Sequence, residues 1–186
     1  MASVQKFRDL HVVWVDAHPD MHTYKSTQSG NTHGTPLSVC TGLEKMHWTS
    51  RMMLKLLPFE NLTYVGIRDI DDWEAEVIKE KNIRHISPAK CVEFIKNTDK
   101  PFHISFDVDA MDPMLVSSTG TRVPDGLLAK EVEIIFEQAL KQDKLVSADI
   151  VEFNQELGDP IESLKHVQDV FTKSYRKDSR PKSLLM

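Results

Sequence analysis

Two short apolar runs, each closing in metal-binding side chains, constrain this chain more than anything else in it. The first is Val12-Val13-Trp14-Val15-Asp16-Ala17-His18-Pro19-Asp20 and the second Phe102-His103-Ile104-Ser105-Phe106-Asp107-Val108-Asp109. Parallel strands buried on both faces read as continuous apolar runs, and open α/β sheets bind ligands beyond the carboxyl ends of their strands. A strand also throws alternate side chains to one face. Asp16, His18 and Asp20, like Asp107 and Asp109, stand at every second position. A single D-x-D is more often a solvated strand end than a site. Two such runs, both closing buried-looking strands, predict one site built where two strands stop.

That site holds one imidazole and four carboxylates. Hard oxygen ligands with a minority of nitrogen suit Mn²⁺ first, with Fe²⁺, Co²⁺ and Zn²⁺ as alternatives. Four negative charges balance two divalent cations, which argues for a metal pair bridged by carboxylates. Two metals roughly 3.5–4 Å apart share a water and depress its pKa toward neutrality.

The chain has 186 residues, enough for one domain with a sizeable core, and 40% of them are hydrophobic. Its net charge of −5 gives no reason to expect nucleic-acid binding. Cys40 and Cys91 have no C-x-x-C spacing, which argues against a disulfide framework or a structural zinc. No run reaches signal-peptide or membrane-spanning length, so a cytosolic protein without a membrane partner is expected.

Along the chain, strands are predicted at residues 11–16, 61–67, 83–86 and 145–151 besides the second run. Helices are predicted at 72–81, at 88–96, on the stripe Leu128, Val132, Ile135, Phe136 and Ala139, and from Pro160 with Asp159 as N-cap. That last helix is expected to bury Ile161, Leu164, Val167 and Phe171. Residues 37–57 read as partly helical, with Trp48, Met52 and Met53 in the core. The long Ser/Thr/Gly/Asn-rich stretch 17–36 and the stretch 111–126 read as functional loops. From about residue 172 the chain is basic and expected to be a solvated tail. Strands alternating with helices give a three-layer α/β/α domain around a parallel sheet.

At this point the motifs resemble those of arginases, in the ureohydrolase family. D-A-H-x-D stands as Asp16 to Asp20 and S-F-D-V-D as Ser105 to Asp109, followed by Asp112-Pro113. Ser29-Gly30-Asn31-Thr32-His33-Gly34 resembles the S-G-N-x-H-G run that separates arginases from agmatinases. Gly66 to Asp71, Thr119-Gly120-Thr121 and Asp149 to Asn154 follow in the family's order. The resemblance implies a binuclear manganese hydrolase converting L-arginine to L-ornithine and urea by metal-hydroxide attack on the guanidinium carbon.

It also implies roles. Asp16 and Asp107 would bridge the metals, and His18, Asp20 and Asp109 would complete their coordination. Asp20 would pass a proton to the leaving amine, His33 would shuttle protons, and Glu152 would hold the guanidinium. His22, Ser29 and Asn31 would bind the substrate carboxylate, Asp71 and Glu74 its α-amino group, and Thr121 would support the site. Rival readings are an agmatinase-like ureohydrolase and a catalytically impaired arginase-like subunit. Asp71 and Glu74 also fit a helix cap, and His11, His47, His85, His103 and His166 read as structural or surface residues.

Departures from the pattern carry expectations of their own. Position 22 is His where arginases have Asn, Gln155 stands for Pro, and Arg122 for Pro. The family's earlier segment carries G-G-D-H, whose histidine binds the first metal, and this sequence contains no G-G-D-H. An arginase-like domain without that segment is expected to hold one Mn²⁺ tightly and one weakly. Strand 145–151 would then form a sheet edge, favouring homo-oligomers beyond the family's common trimer.

Overall fold

A computed structural model describes residues 1–177. Its strands are β1 (His11–Val15), β2 (Leu62–Val65), β3 (Arg84–His85), β4 (Phe102–Asp107) and β5 (Leu145–Val151). They form one parallel sheet in the order β3-β2-β1-β4-β5. The chain therefore starts in the middle of the sheet, builds outward to β3, and returns across β1 to β4 and β5. This topology places the ends of β1 and β4 side by side, with Val15 opposite Phe106.

Seven α-helices accompany the strands among the described residues: α1 (Ala2–Lys6), α2 (Pro36–Thr41), α3 (His47–Arg51), α4 (Asp72–Glu80), α5 (Pro88–Asn97), α6 (Ala129–Leu140) and α7 (Pro160–Lys177). The two faces of the sheet carry separate cores. Val13, Val15, Ile104 and Phe106 pack against Ile95 of α5, Val132 and Ile135 of α6, and Val167 and Val170 of α7. On the other face Val12, Leu62 and Tyr64 meet Val4 of α1, Leu37 of α2, and Val77 of α4. Alternation along β1 thus feeds both cores, which is why the strand reads apolar from Val12 to Val15. Phe106 is fully buried, with ring centroids 5.7 Å from Phe136 and 5.9 Å from Phe171.

The local signals behave as their chemistry requires. Asp71 caps α4 by accepting from the Glu74 amide at 2.8 Å. Asp159 accepts from the amides of Ile161 and Glu162, with Pro160 opening α7. Gly42 ends α2 at φ +80, where a Cβ would meet Leu56.

Other expectations are corrected. Residues 2–6, read as a polar start, form α1. Trp48, Met52 and Met53 are exposed rather than core, the last at 88%. Helix α3 has only five residues, too short to bury a continuous apolar stripe. Leu128 is the exposed N-cap of α6 rather than part of its buried stripe. Over residues 160–172 of α7 the buried residues are Ser163, Val167 and Val170, while Ile161 and Leu164 face outward at 78% and 43% exposure. The basic stretch expected to be a tail from 172 is helical through Lys177, and the part from Asp178 lies outside the described residues.

Candidate metal centre

Both metal-binding runs leave their strands earlier than strict alternation requires. Strand β1 ends at Val15, and the Asp16 amide still donates to the Val65 carbonyl at 3.1 Å. The Asp16 Oδ1 atom then accepts from the His18 amide at 2.7 Å. Strand β4 ends at Asp107, whose Oδ1 accepts from the Asp109 amide at 2.9 Å and opens a single 3₁₀ turn, Val108–Ala110. The expectation that a strand's pleat aims these side chains is therefore corrected. Each aspartate turns its own chain by hydrogen-bonding the amide two residues on, and the same spacing serves the turn.

Asp109 joins the two ends. Its Oδ1 accepts from the Ala17 amide at 3.2 Å, and its Oδ2 lies 3.1 Å from His18 Nδ1. Asp16 Oδ1 is 3.5 Å from the same nitrogen. One ligand atom from each of Asp16, His18 and Asp109 lies within 4.8 Å of the others. Asp16 Oδ2 and His18 Nε2 are buried without a hydrogen-bond partner. His18 Nε2 faces the exposed Asp69 carboxylate at 3.6 Å, the kind of outer acceptor that orients a ligating imidazole.

Asp20 and Asp107 stand outside this close group but are coupled to it by charge. Burial, then the charge of Asp16, pushes the Asp107 carboxyl up to about 10. Burial and Asp16 likewise push Asp20 up to about 9, against a lowering by His18. Burial raises Asp16 to about 6. For His18, burial opposes the charged form, yet the bonds to Asp109 and Asp16 outweigh it and hold the imidazole up to about 10. So many buried carboxylates ionise together only beside added positive charge. The donor set and its unpartnered oxygen fit a divalent cation, and a carboxylate majority with one imidazole fits Mn²⁺.

A guanidinium of the chain's own braces this corner. Arg68 donates to five carbonyls, those of Gly66, Asp109, Ala110, Val123 and Pro124, at 2.7–3.2 Å. It ties the end of β2 to the turn carrying Asp109 and to the loop beyond.

The substrate-side residues are distributed more widely. Asp20, at φ +50, and Glu152, at φ +63, both hold left-handed backbone conformations that side chains other than glycine seldom adopt. Asp20, His33 and Glu152 line one cavity of about 520 Å³, together with His103, Ser105 and Asp149. Glu152 is exposed, just past the end of β5. Ser29, Asn31, His33 and Thr121 are exposed as well. Ser29 Oγ accepts from the Asn31 amide at 3.2 Å within its own loop. His22 is turned toward α4, its Nε2 3.1 Å from Asp71 Oδ2 and 3.8 Å from Glu74 Oε2.

Three features escaped the sequence reading. His103 Nε2 pairs with Asp149 Oδ2 at 3.2 Å, and Ser105 Oγ donates to Asp149 Oδ1 at 2.7 Å. The two bonds outweigh burial and hold Asp149 below the ordinary carboxylate range. The S-F-D-V-D and D-I-V-E-F-N motifs contain Ser105 and Asp149, but only the β4–β5 register, with Ser105 opposite Asp149, reveals the contact. Thr119 has a buried, unpartnered hydroxyl where Thr121 was the expected support. Arg68 was visible only as a member of Gly66 to Asp71.

Fold and site together define an α/β protein with a carboxylate-rich group that could hold a metal ion, past the ends of its central parallel strands. Residues 1–166 match the model of the arginase family, and the chain belongs to that family. It is 38% identical to the arginase of Neurospora crassa over 170 residues, covering 82% of this chain and 47% of that protein. It is also 38% identical to the Entamoeba histolytica arginase over 161 residues, covering 81% and 54%. The crystal structure of the Entamoeba enzyme in complex with L-ornithine superposes with a TM-score of 0.81 at 33% identity, over 89% of this chain and 60% of that one. Bacillus subtilis arginase gives a TM-score of 0.80 at 27% identity, over 98% and 67%. The chain spans about half the length of the curated relatives it matches. No helix among the described residues is long and apolar enough to cross a membrane.

Proposed function

We propose that this chain carries the metal centre of a binuclear manganese ureohydrolase that converts L-arginine to L-ornithine and urea. The observation that carries the reading is the close group of Asp16, His18 and Asp109 at adjacent strand ends, with both aspartates buried and Asp16 Oδ2 unpartnered. These three residues, with Asp20 and Asp107, would hold the metal. When bound, a manganese pair supplies a nucleophile from water at neutral pH.

The remaining chemistry falls to the chain's own groups. Glu152 pairs with the planar guanidinium, for which a carboxylate is the natural partner. Asp20, in the same cavity, transfers a proton to the departing amine. The exposed His33 imidazole moves protons between that cavity and solvent. Ser29 and Asn31 meet the substrate's carboxylate, and Thr121 supports the site. Asp71 and Glu74 take its ammonium group, and His22, facing them, belongs to that end of the site. Arginine is favoured over agmatine by the Ser29-to-Gly34 run.

One observation favours a second reading, a family member impaired in catalysis: His18 is the one imidazole in the group around Asp16. Purified chain with saturating Mn²⁺ is to be assayed for urea release from L-arginine and from agmatine, beside a His18→Ala control. Turnover of arginine well above the control is expected. Faster turnover of agmatine refutes the substrate, and turnover no higher than the control refutes the enzymatic reading.

A further inference from the structure

The ring of His22 is held on every side. Its Nδ1 lies 3.0 Å from Ser26 Oγ, and its face stacks on Trp73 with centroids 5.2 Å apart at 15°. Its backbone is fixed too: the amide donates to the Gly34 carbonyl at 3.1 Å, and the carbonyl accepts from Ser38 Oγ at 2.6 Å. These contacts aim Nε2 at the carboxylates of Asp71 and Glu74. A ring nitrogen that close to a carboxylate carries its proton there, in the neutral or the charged ring alike.

The four oxygens of those two carboxylates are then mostly spoken for. Asp71 Oδ1 accepts from the Glu74 amide, capping α4. Asp71 Oδ2 faces His22 Nε2 at 3.1 Å. Glu74 Oε1 accepts from the Met21 amide at 3.1 Å. Among the described residues Glu74 Oε2 alone of the four meets no donor within hydrogen-bond distance, and it lies 3.8 Å from the same ring nitrogen. Glu74 is itself buried, and burial raises its carboxyl. An incoming ammonium group must displace or share the imidazole's hydrogen bond to use Asp71.

We infer that His22 is a specificity-determining residue: an internal donor that occupies the Asp71–Glu74 pair and weakens selection for ligands bearing an α-ammonium group. The inference rests on the reading of Asp71 and Glu74 as the end of the site that takes that group. Its consequence is a broadened substrate class, guanidino acids with or without an α-amino group.

The test compares two ligands differing only in the α-amino group. Dissociation constants of L-ornithine and 5-aminopentanoate are measured calorimetrically on the manganese-loaded full chain, for wild type, His22→Asn and His22→Phe. Phenylalanine keeps a ring on Trp73 and removes the nitrogen, and thermal melting checks that each variant is folded. Both variants are expected to shift the ratio of the two constants about tenfold toward L-ornithine, the scale of one hydrogen bond to a charged group. The kcat/KM ratio of L-arginine to 5-guanidinopentanoate is expected to move the same way. Folded variants whose ratio stays within twofold of wild type, or moves toward 5-aminopentanoate, overturn the inference and leave the proposed function standing. Failure of the wild-type chain to bind either ligand overturns the reading of the site, and this inference with it.

Discussion

Replacing Asp16 with asparagine separates the two jobs of the buried carboxylate. With no metal, its folded-state pKa is raised from 3.8 to about 6, chiefly by burial. A carboxyl raised in this way contributes stability that is fully present below pH 3.8 and is lost as the pH rises through about 6. That displacement corresponds to roughly 3 kcal/mol. Asparagine has the shape of the protonated acid and still accepts from the His18 amide, which now receives a 2.7 Å bond from Asp16 Oδ1. His18 keeps its shorter contact, to Asp109 at 3.1 Å. In chelator, Asp16→Asn and wild type should therefore unfold at similar urea concentrations near pH 4, and the variant should be more stable by roughly 3 kcal/mol at pH 8. Mn²⁺ at a hundredfold its dissociation constant should return about 2.7 kcal/mol to wild type and little to the variant, nearly erasing the difference. A variant less stable than wild type at pH 8 in chelator would refute the reasoning, because the carboxylate would then be satisfied without a metal.

Three further outcomes follow from the same structure. Calorimetric titration of the metal-free chain should show one tight Mn²⁺ site and one weak one, with any urea release rising as the weak site fills; two equally tight, spin-coupled ions by electron paramagnetic resonance would contradict this. Phe106→Ala, which removes the ring packed against both Phe136 and Phe171, should cost about 3–5 kcal/mol and lower the melting temperature by roughly 10 °C. Strand β5 ends the sheet among the described residues, with Ile150 47% exposed; sedimentation should show association growing with concentration, and a monomer at every concentration would remove the edge argument.

The fold was legible wherever one local cause decides an element. The apolar runs gave β1 and β4, the Val132-Ile135-Phe136-Ala139 stripe gave α6, and β5 spans the residues expected of it, Leu145–Val151. Legibility failed where the partner surface decides. In α7, Ile161 and Leu164 fit a helical stripe with Val167, but Ser163, Val167 and Val170 fit one equally, and only the docked sheet chooses. The alternation of Asp16, His18 and Asp20 and of Asp107 and Asp109 pointed to two strand ends, and three of these residues, Asp16, His18 and Asp109, lie close together there, placed by turns rather than by the pleat. The exposure of Glu152 was not legible, because exposure beyond a strand end depends on what covers that end. The pairings of His22 with Asp71 and of His103 with Asp149 join residues 49 and 46 positions apart, beyond the reach of any local pattern.

The sheet order has a bearing on how the chain is made. Val12 of β1 pairs with Leu62 and with His103, which are synthesised 50 and 91 residues later. The central strand, the most apolar in the sheet, leaves the ribosome long before either described neighbour exists. At about 5–20 residues per second that wait lasts several seconds in bulk, time enough for an unpaired Val12-Val13-Trp14-Val15 segment to meet a chaperone or another nascent chain. Asp109 arrives later still, so no cation can bridge it to His18 and assist the early stages. Chaperone supply would then govern how many chains finish.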